Sequence, residues 1–200
     1  MQAIIQHLSQ DERLKEAIEK TELPPFSITD GDVYHSLLRS IIYQQLSGKA
    51  AQTIYNRFLQ LFEDAYPHPD VLVSLETPQL RAVGLSGQKS GYVQNVAQYF
   101  LDGHLHQVDW AEMDDETIIK RLTSIKGVGR WTVQMLLMFT LHRPDVLPLD
   151  DLGIQQGFQK LYGLQLEVRA LKKELESRAE AWRPYRSYAC RYLWCWNDTV

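Results

Sequence analysis

The chain is poor in cysteine, has no long apolar run, and carries no excess of positive charge. Each shortage excludes something. Two cysteines, Cys190 and Cys195, occur in 200 residues. Five positions apart on a helix-grade segment, they point to different sides, which argues against a disulfide. Two thiols also make no metal motif, and both are read as structural. No stretch reaches the roughly 20 apolar residues that a membrane helix needs. Met1 to Arg13 alternates polar and apolar residues and carries Asp11 and Glu12, unlike a secretion signal. A cytoplasmic location is the expectation. No alternating pattern is strong enough for a sheet, and internal repeats and low-complexity segments are absent. The formal net charge of −4 excludes a surface coated with positive potential. One ordinary soluble unit remains, long enough to bury a substantial core built from helices.

Periodicity and capping residues place those helices. Ser9-Gln10-Asp11-Glu12 reads as a capping box opening a helix to about Lys20, and Leu23-Pro24-Pro25-Phe26 as a linker. Helical spacing continues over Val33 to Leu46, and again over Lys49 to Phe62, with Ser47 able to cap the second. Pro67 and Pro69 end that region. Thr77-Pro78 reads as N-cap and first helical residue of a short helix stopping at Gly84, and Gln88 to Leu101 as a longer one ended by Gly103. Asp114 or Asp115 caps a helix to Ser124, and Trp131 to Leu141 forms another. Asp151 to Leu161, ended by Gly163, then Glu167 to Ala181 and Tyr185 to Trp196, complete the chain.

The most informative stretch is Ile125-Lys126-Gly127-Val128-Gly129-Arg130-Trp131-Thr132, between two of those helices. Two glycines one residue apart allow a turn too tight for most side chains. Its N–H groups would open the second helix, where unpaired donors and the macrodipole favour an anion. Lys120, Arg121, Lys126, Arg130 and Arg143 fall between Thr117 and Pro144 with no acid among them. Five carboxylates crowd the segment just before, Asp109 to Glu116, expected to face solvent or cap a helix. That segregation suits a one-sided phosphate footprint. Gly-x-Gly alone supports a plain tight turn equally well.

The segments around it decide between the two. Gly-Val-Gly-Arg-Trp-Thr followed by Leu-Pro-Leu-Asp-Asp-Leu-Gly-Ile resembles the helix-hairpin-helix DNA glycosylases, and within them the 3-methyladenine DNA glycosylase II branch. Arg39-Ser40-Ile41-Ile42-Tyr43-Gln44-Gln45-Leu46-Ser47 and Trp182-Arg183-Pro184-Tyr185-Arg186-Ser187-Tyr188-Ala189 extend the resemblance in the expected order, from roughly Val33 to Trp196. It implies an all-α, two-lobed glycosylase unit over residues 1–200, with the active cleft between the lobes. One lobe would span about 32–141, including the hairpin at 115–141, and the other about 1–31 plus 142–200. It further implies a compact form lacking an extra N-terminal sheet domain. Some relatives hold a four-cysteine iron–sulfur cluster, which two cysteines cannot supply.

The resemblance implies monofunctional excision of alkylated purines from double-stranded DNA, by base flipping and hydrolysis of the N-glycosidic bond. The protein would be a monomer, without cofactor or membrane association, near the nucleoid if bacterial. Asp151 is the expected catalytic carboxylate, since a fixed negative charge stabilises an oxocarbenium-like sugar; an Asp at a helix start is ordinarily just an N-cap. Trp131 stands where bifunctional relatives carry a nucleophilic lysine, so no lyase activity is expected. Trp131, Trp194, Met135 and Gln44 would line the base pocket, aromatic faces attracting an electron-poor or cationic purine. Tyr185, Tyr188, Tyr192 and Trp196 share the opposite face of the last helix and suit the core. Lys126, Gly127, Val128, Gly129, Arg130 and Thr132 would hold the DNA backbone. Gln88 or Leu85 would wedge into the gap left by the flipped base. The carbonyls of Thr123, Ile125 and Val128 offer a site for a monovalent cation. A cationic base leaves without a general acid, so the six histidines are read as surface or structural. The alternatives are a non-enzymatic helix-hairpin-helix protein that binds DNA or lesions, which would not need Asp151, and a glycosylase for oxidised or deaminated bases.

Overall fold

A computed structural model describes residues 1–25 and 31–199; Phe26, the last residue of the expected linker, lies outside them. The described residues form α-helices and short 3-10 turns, with no β-strand among them. They divide into two compact units, 29–136 and 1–28 with 137–200. The division falls inside a helix that the sequence assigns to a single lobe ending near 141.

The continuous unit holds α3 (Val33–Tyr43), α4 (Gly48–Leu59), α5 (Pro69–Ser74), α6 (Thr77–Ala82), α7 (Gly87–Asp102), α8 (Asp115–Thr123) and the first part of α9 (Arg130–Phe139). Helix α7 is its centre, packing against α3, α5 and α6 and burying Val93, Val96, Ala97 and Phe100. Pro69 does not end a region; at the first helical position its missing N–H costs nothing, and it opens α5. Thr77 lies inside α6, whose capping box is made by Glu76 and Gln79. Asp114, not Asp115, caps α8, accepting the Thr117 N–H at 2.9 Å. Ser47 occupies the N-cap position of α4 but makes no side-chain cap bond.

The other unit holds α1 (Gln2–Leu8), α2 (Glu12–Lys20), α10 (Leu152–Tyr162), α11 (Val168–Ala179) and α12 (Arg186–Thr199). Ser9 is the C-cap of α1, and Asp11 is the residue that starts α2, accepting the Arg13 and Leu14 N–H groups. The Asp11 carboxylate also accepts the Tyr162 hydroxyl at 2.5 Å and Trp182 Nε1–H at 3.1 Å, tying the N-terminal helices to the C-terminal ones. Helices α10 and α12 pack closely. The approach is possible because a Cβ on Gly157 would meet the Leu193 carbonyl. Of the expected core stripe, Tyr192 and Trp196 are buried, Tyr188 is half-buried, and Tyr185, also half-buried, precedes α12; Cys190 is a buried free thiol whose pKa burial drives up strongly.

Candidate active site and nucleic-acid interface

In the continuous unit, α8 and the first part of α9 form the helical hairpin. Its turn needs glycine once: Gly127 has a φ of +106°, and a Cβ there would come within 2.6 Å of Tyr92 Cδ1 on α7. What approaches Gly127 is therefore an aromatic ring rather than another backbone. The turn closes with Val128 N–H to Ile125 O at 3.0 Å, while Asn95 Nδ2 and the Tyr99 hydroxyl hold the carbonyls of Lys126 and Arg121. Gly129 precedes α9, and nothing lies within 4 Å of where a Cβ would stand. A bulky ligand can thus reach the start of α9, where first-turn N–H groups lie beyond any intrahelical carbonyl. Lys126 and Arg130 are exposed beside it. Val128 is buried and Thr132 is only 3% exposed, so those two can offer backbone rather than side chains.

The charge segregation read from the sequence needs correction. Arg130 is held by Glu116, with contacts of 2.6 and 3.3 Å, so the acidic segment reaches over to the hairpin. Both partners are exposed, and such pairs contribute about 0–1 kcal/mol, little enough for a phosphate to displace. Glu116→Gln is expected to strengthen duplex binding and steepen its salt dependence. Charge reversal at Lys126 should weaken binding to all sequences and flatten the log–log salt slope by about 1. Titrations at three or four salt concentrations check both; unchanged slopes would mark the hairpin charges as merely solvated.

Next to the hairpin, a cavity of about 470 Å³ is lined by Arg39, Ser40, Tyr43, Gln44, Gln45, Trp131 and Met135. Three of the four expected pocket residues, Gln44, Trp131 and Met135, meet here. Trp131 is 43% exposed, leaving much of its ring available to a ligand. Among the described residues, no carboxylic acid or histidine lines the cavity; His35 lies against the Tyr55 hydroxyl (2.5 Å) and His68 against Asp64 (2.8 Å). Gln45 escapes a sequence reading that carries the α3 periodicity through to Leu46. Its φ of 58° ends that helix early and turns the chain at the cavity rim. Arg39, whose guanidinium lies 4.2 Å from the centre of the Tyr43 ring, is also new. Leu85 is only 4% exposed, so it cannot act as a wedge from there. Gln88 is exposed and donates to the Tyr92 hydroxyl at 2.6 Å.

In the other unit, Asp151 is the N-cap of α10 and only 8% exposed. Its Oδ1 accepts the Ile154 N–H and Trp194 Nε1–H, both at 2.8 Å. One carboxylate oxygen is thus fixed by two donors from two helices. Trp194 also stacks on Phe139, with ring centroids 5.8 Å apart. It stands apart from the buried α12 stripe, and its indole serves Asp151. Gly153 makes that contact possible: a Cβ would lie 2.8 Å from Trp194 Cδ1 and 3.3 Å from Asp151 Oδ1. Asp150 does not share the capping role. It faces outward and pairs with Lys172 at 2.5 Å. The loop leading to Asp151 is pinned by Ser187, which accepts Val146 N–H and donates to the Arg143 carbonyl, and by Arg186 on Asp145 at 2.7 Å. The Arg186-Ser187 segment therefore acts at a distance, as a brace for that loop.

Residues 38–184 match the HhH-GPD superfamily of base excision DNA repair proteins, and the chain belongs to that family. It is 36% identical over 173 residues to DNA-3-methyladenine glycosylase 1 of Schizosaccharomyces pombe, covering 86% of this chain and 75% of that protein. Among solved structures it is similar to a DNA-3-methyladenine glycosidase from Bacillus halodurans (37% identity, TM-score 0.79, 94% of this chain and 85% of that one). It is also similar to the S. pombe 3-methyladenine DNA glycosylase in complex with abasic DNA (32% identity, TM-score 0.79, 96% and 95%).

Proposed function

We propose that the protein is a monofunctional DNA glycosylase that removes alkylated purines from duplex DNA by hydrolysis. The observation that carries this reading is the doubly held Asp151 carboxylate, in a chain whose relatives bear 3-methyladenine glycosylase names. Breaking the C1′–N bond sends the electron pair out with the base and leaves positive charge on the sugar, which a fixed carboxylate stabilises without reorganising. Water adds to C1′ and loses its proton, with Asp151 orienting it or taking the proton. A binding protein would use this carboxylate only as the α10 cap and as the acceptor for the indole.

The aromatic cavity without acid or histidine favours a base that leaves unaided, as an N-alkylated cationic purine does. That feature ranks alkylated bases above oxidised or deaminated ones. Gln88, and Gln45 at the cavity rim, are the side chains proposed to fill the gap left by an extruded base, and their exposure supports this. The carbonyls of the hairpin turn remain the proposed seat of a monovalent cation bridging to phosphate, and the chain is expected to act as a monomer.

Incubation with N-methyl-N-nitrosourea-treated duplex, followed by chromatography of the released bases, tests the reading. Free 3-methyladenine is the expected product; a chain that binds the duplex and releases nothing is a binder. Because Trp131 replaces an amine nucleophile, the product should be an abasic site on an intact, alkali-labile strand. Borohydride should trap no covalent adduct, and stoichiometric trapping would overturn the monofunctional assignment.

A further inference from the structure

A lysine in the first turn of a helix faces the positive end of the macrodipole, an unfavourable place for a cation. Lys89 stands there on α7, its own N–H donated to the N-cap hydroxyl of Ser86 at 3.2 Å. Its ammonium leaves that helix for the C-terminus of α3. Nζ donates to the carbonyls of Ile42 at 2.8 Å and Gln44 at 2.6 Å. These carbonyls belong to the last turn and C-cap of α3, where intrahelical partners run out and the dipole favours a positive charge. Immediately beyond them the chain enters the left-handed region at Gln45, which a non-glycine residue visits only when its surroundings hold it there. Leu46 N–H then closes the turn on Tyr43 O at 3.3 Å.

We propose that Lys89 is a positioning residue: it clamps the end of α3 and so holds the Gln44–Gln45 turn in place at the rim of the cavity that also contains Trp131 and Met135. A basic residue in this region invites assignment as a phosphate contact, but two of its three donors are committed inward. Burial lowers its pKa, as expected for an ammonium drawn away from water. Tyr92, one turn further along α7, lies on Gly127 and accepts from Gln88. The same helix therefore registers the cavity rim and the hairpin turn against one another.

The activity part of the test rests on the base-excision reading; the exchange part does not. Lys89→Met keeps the stem and removes the donors, and Lys89→Arg restores them. In the Met variant, amide exchange at Leu46 should rise about tenfold, with the α7 core amides unchanged. Single-turnover base release should fall about tenfold, as expected for losing hydrogen bonds from a charged group. Duplex affinity and its salt slope should stay as in the wild type, and Arg should recover most of both losses. Unchanged exchange at Leu46 overturns the clamp. A salt slope reduced by about 1 overturns it in favour of a phosphate contact. If the wild type releases no alkylated base, the excision reading fails, and the exchange comparison still decides Lys89.

Discussion

Asp151→Asn is expected to reduce base release by at least about 10²–10³-fold, the scale seen when a preorganised electrostatic partner of a transition state is removed. The amide keeps an oxygen where Oδ1 now accepts from Ile154 and Trp194, so the α10 cap and the indole contact should survive. What disappears is the negative charge opposite the developing sugar cation. Folding and binding to an abasic-site analogue should therefore change little. Single-turnover release from methylated duplex is the deciding measurement, and near-normal release from Asp151→Asn would remove the residue from the mechanism. Asp150→Asn is the internal control. It loses only the pair with Lys172, on an exposed carboxylate, and should cost no more than about 1 kcal/mol of stability.

Gly153→Ala should have the second-largest effect. Its Cβ would stand 2.8 Å from Trp194 Cδ1 and 3.0 Å from Nε1, so either the ring or the first turn of α10 must shift. Either movement parts the indole from Asp151. A hydrogen bond to a charged group is worth about 1.5–3 kcal/mol, which corresponds to about 10–100-fold in the excision rate. Trp194→Phe should reproduce much of the loss, since it keeps a ring against Phe139 and lacks the donor. Affinity for an abasic-site analogue, which presents no base, should be preserved in both. A Gly153→Ala protein with a lowered Tm and equal losses in every assay would make the glycine a packing residue only.

Local signals were legible in the sequence. Asp114 and Asp151 announce helix starts because a short carboxylate suits the N-cap, and Gly163 announces a stop because αL costs glycine nothing. The hairpin turn was legible from Gly127. Pro69 misled because proline both ends and opens helices, and here the helical residues 70–74 lie on its C-terminal side. Helix α1 buries only Leu8, too little apolar surface to leave a pattern. The rest of the site depends on partners far apart in sequence. Trp194 meets Asp151 across 43 positions, Lys89 meets Gln44 across 45, and Arg130 meets Glu116 across 14. Periodicity reports which face a residue occupies, not what that face meets. Leu85 shows the limit from the other side: an apolar residue in a loop reads as an available wedge until the structure buries it.

The Asp11 carboxylate sets an order of events. Its partners Tyr162 and Trp182 stand 151 and 171 positions further along the chain. The unit 29–136, by contrast, is one uninterrupted stretch. A ribosome therefore delivers every contact of the hairpin-bearing unit before it delivers either partner of Asp11. Until then α1 and α2 lack these two partners. Long-range closure of this kind is the slow step in chain assembly, because its entropy is lost before any contact repays it. Asp151, the carboxylate proposed for the chemistry, caps α10 in the unit that the C-terminal segment completes.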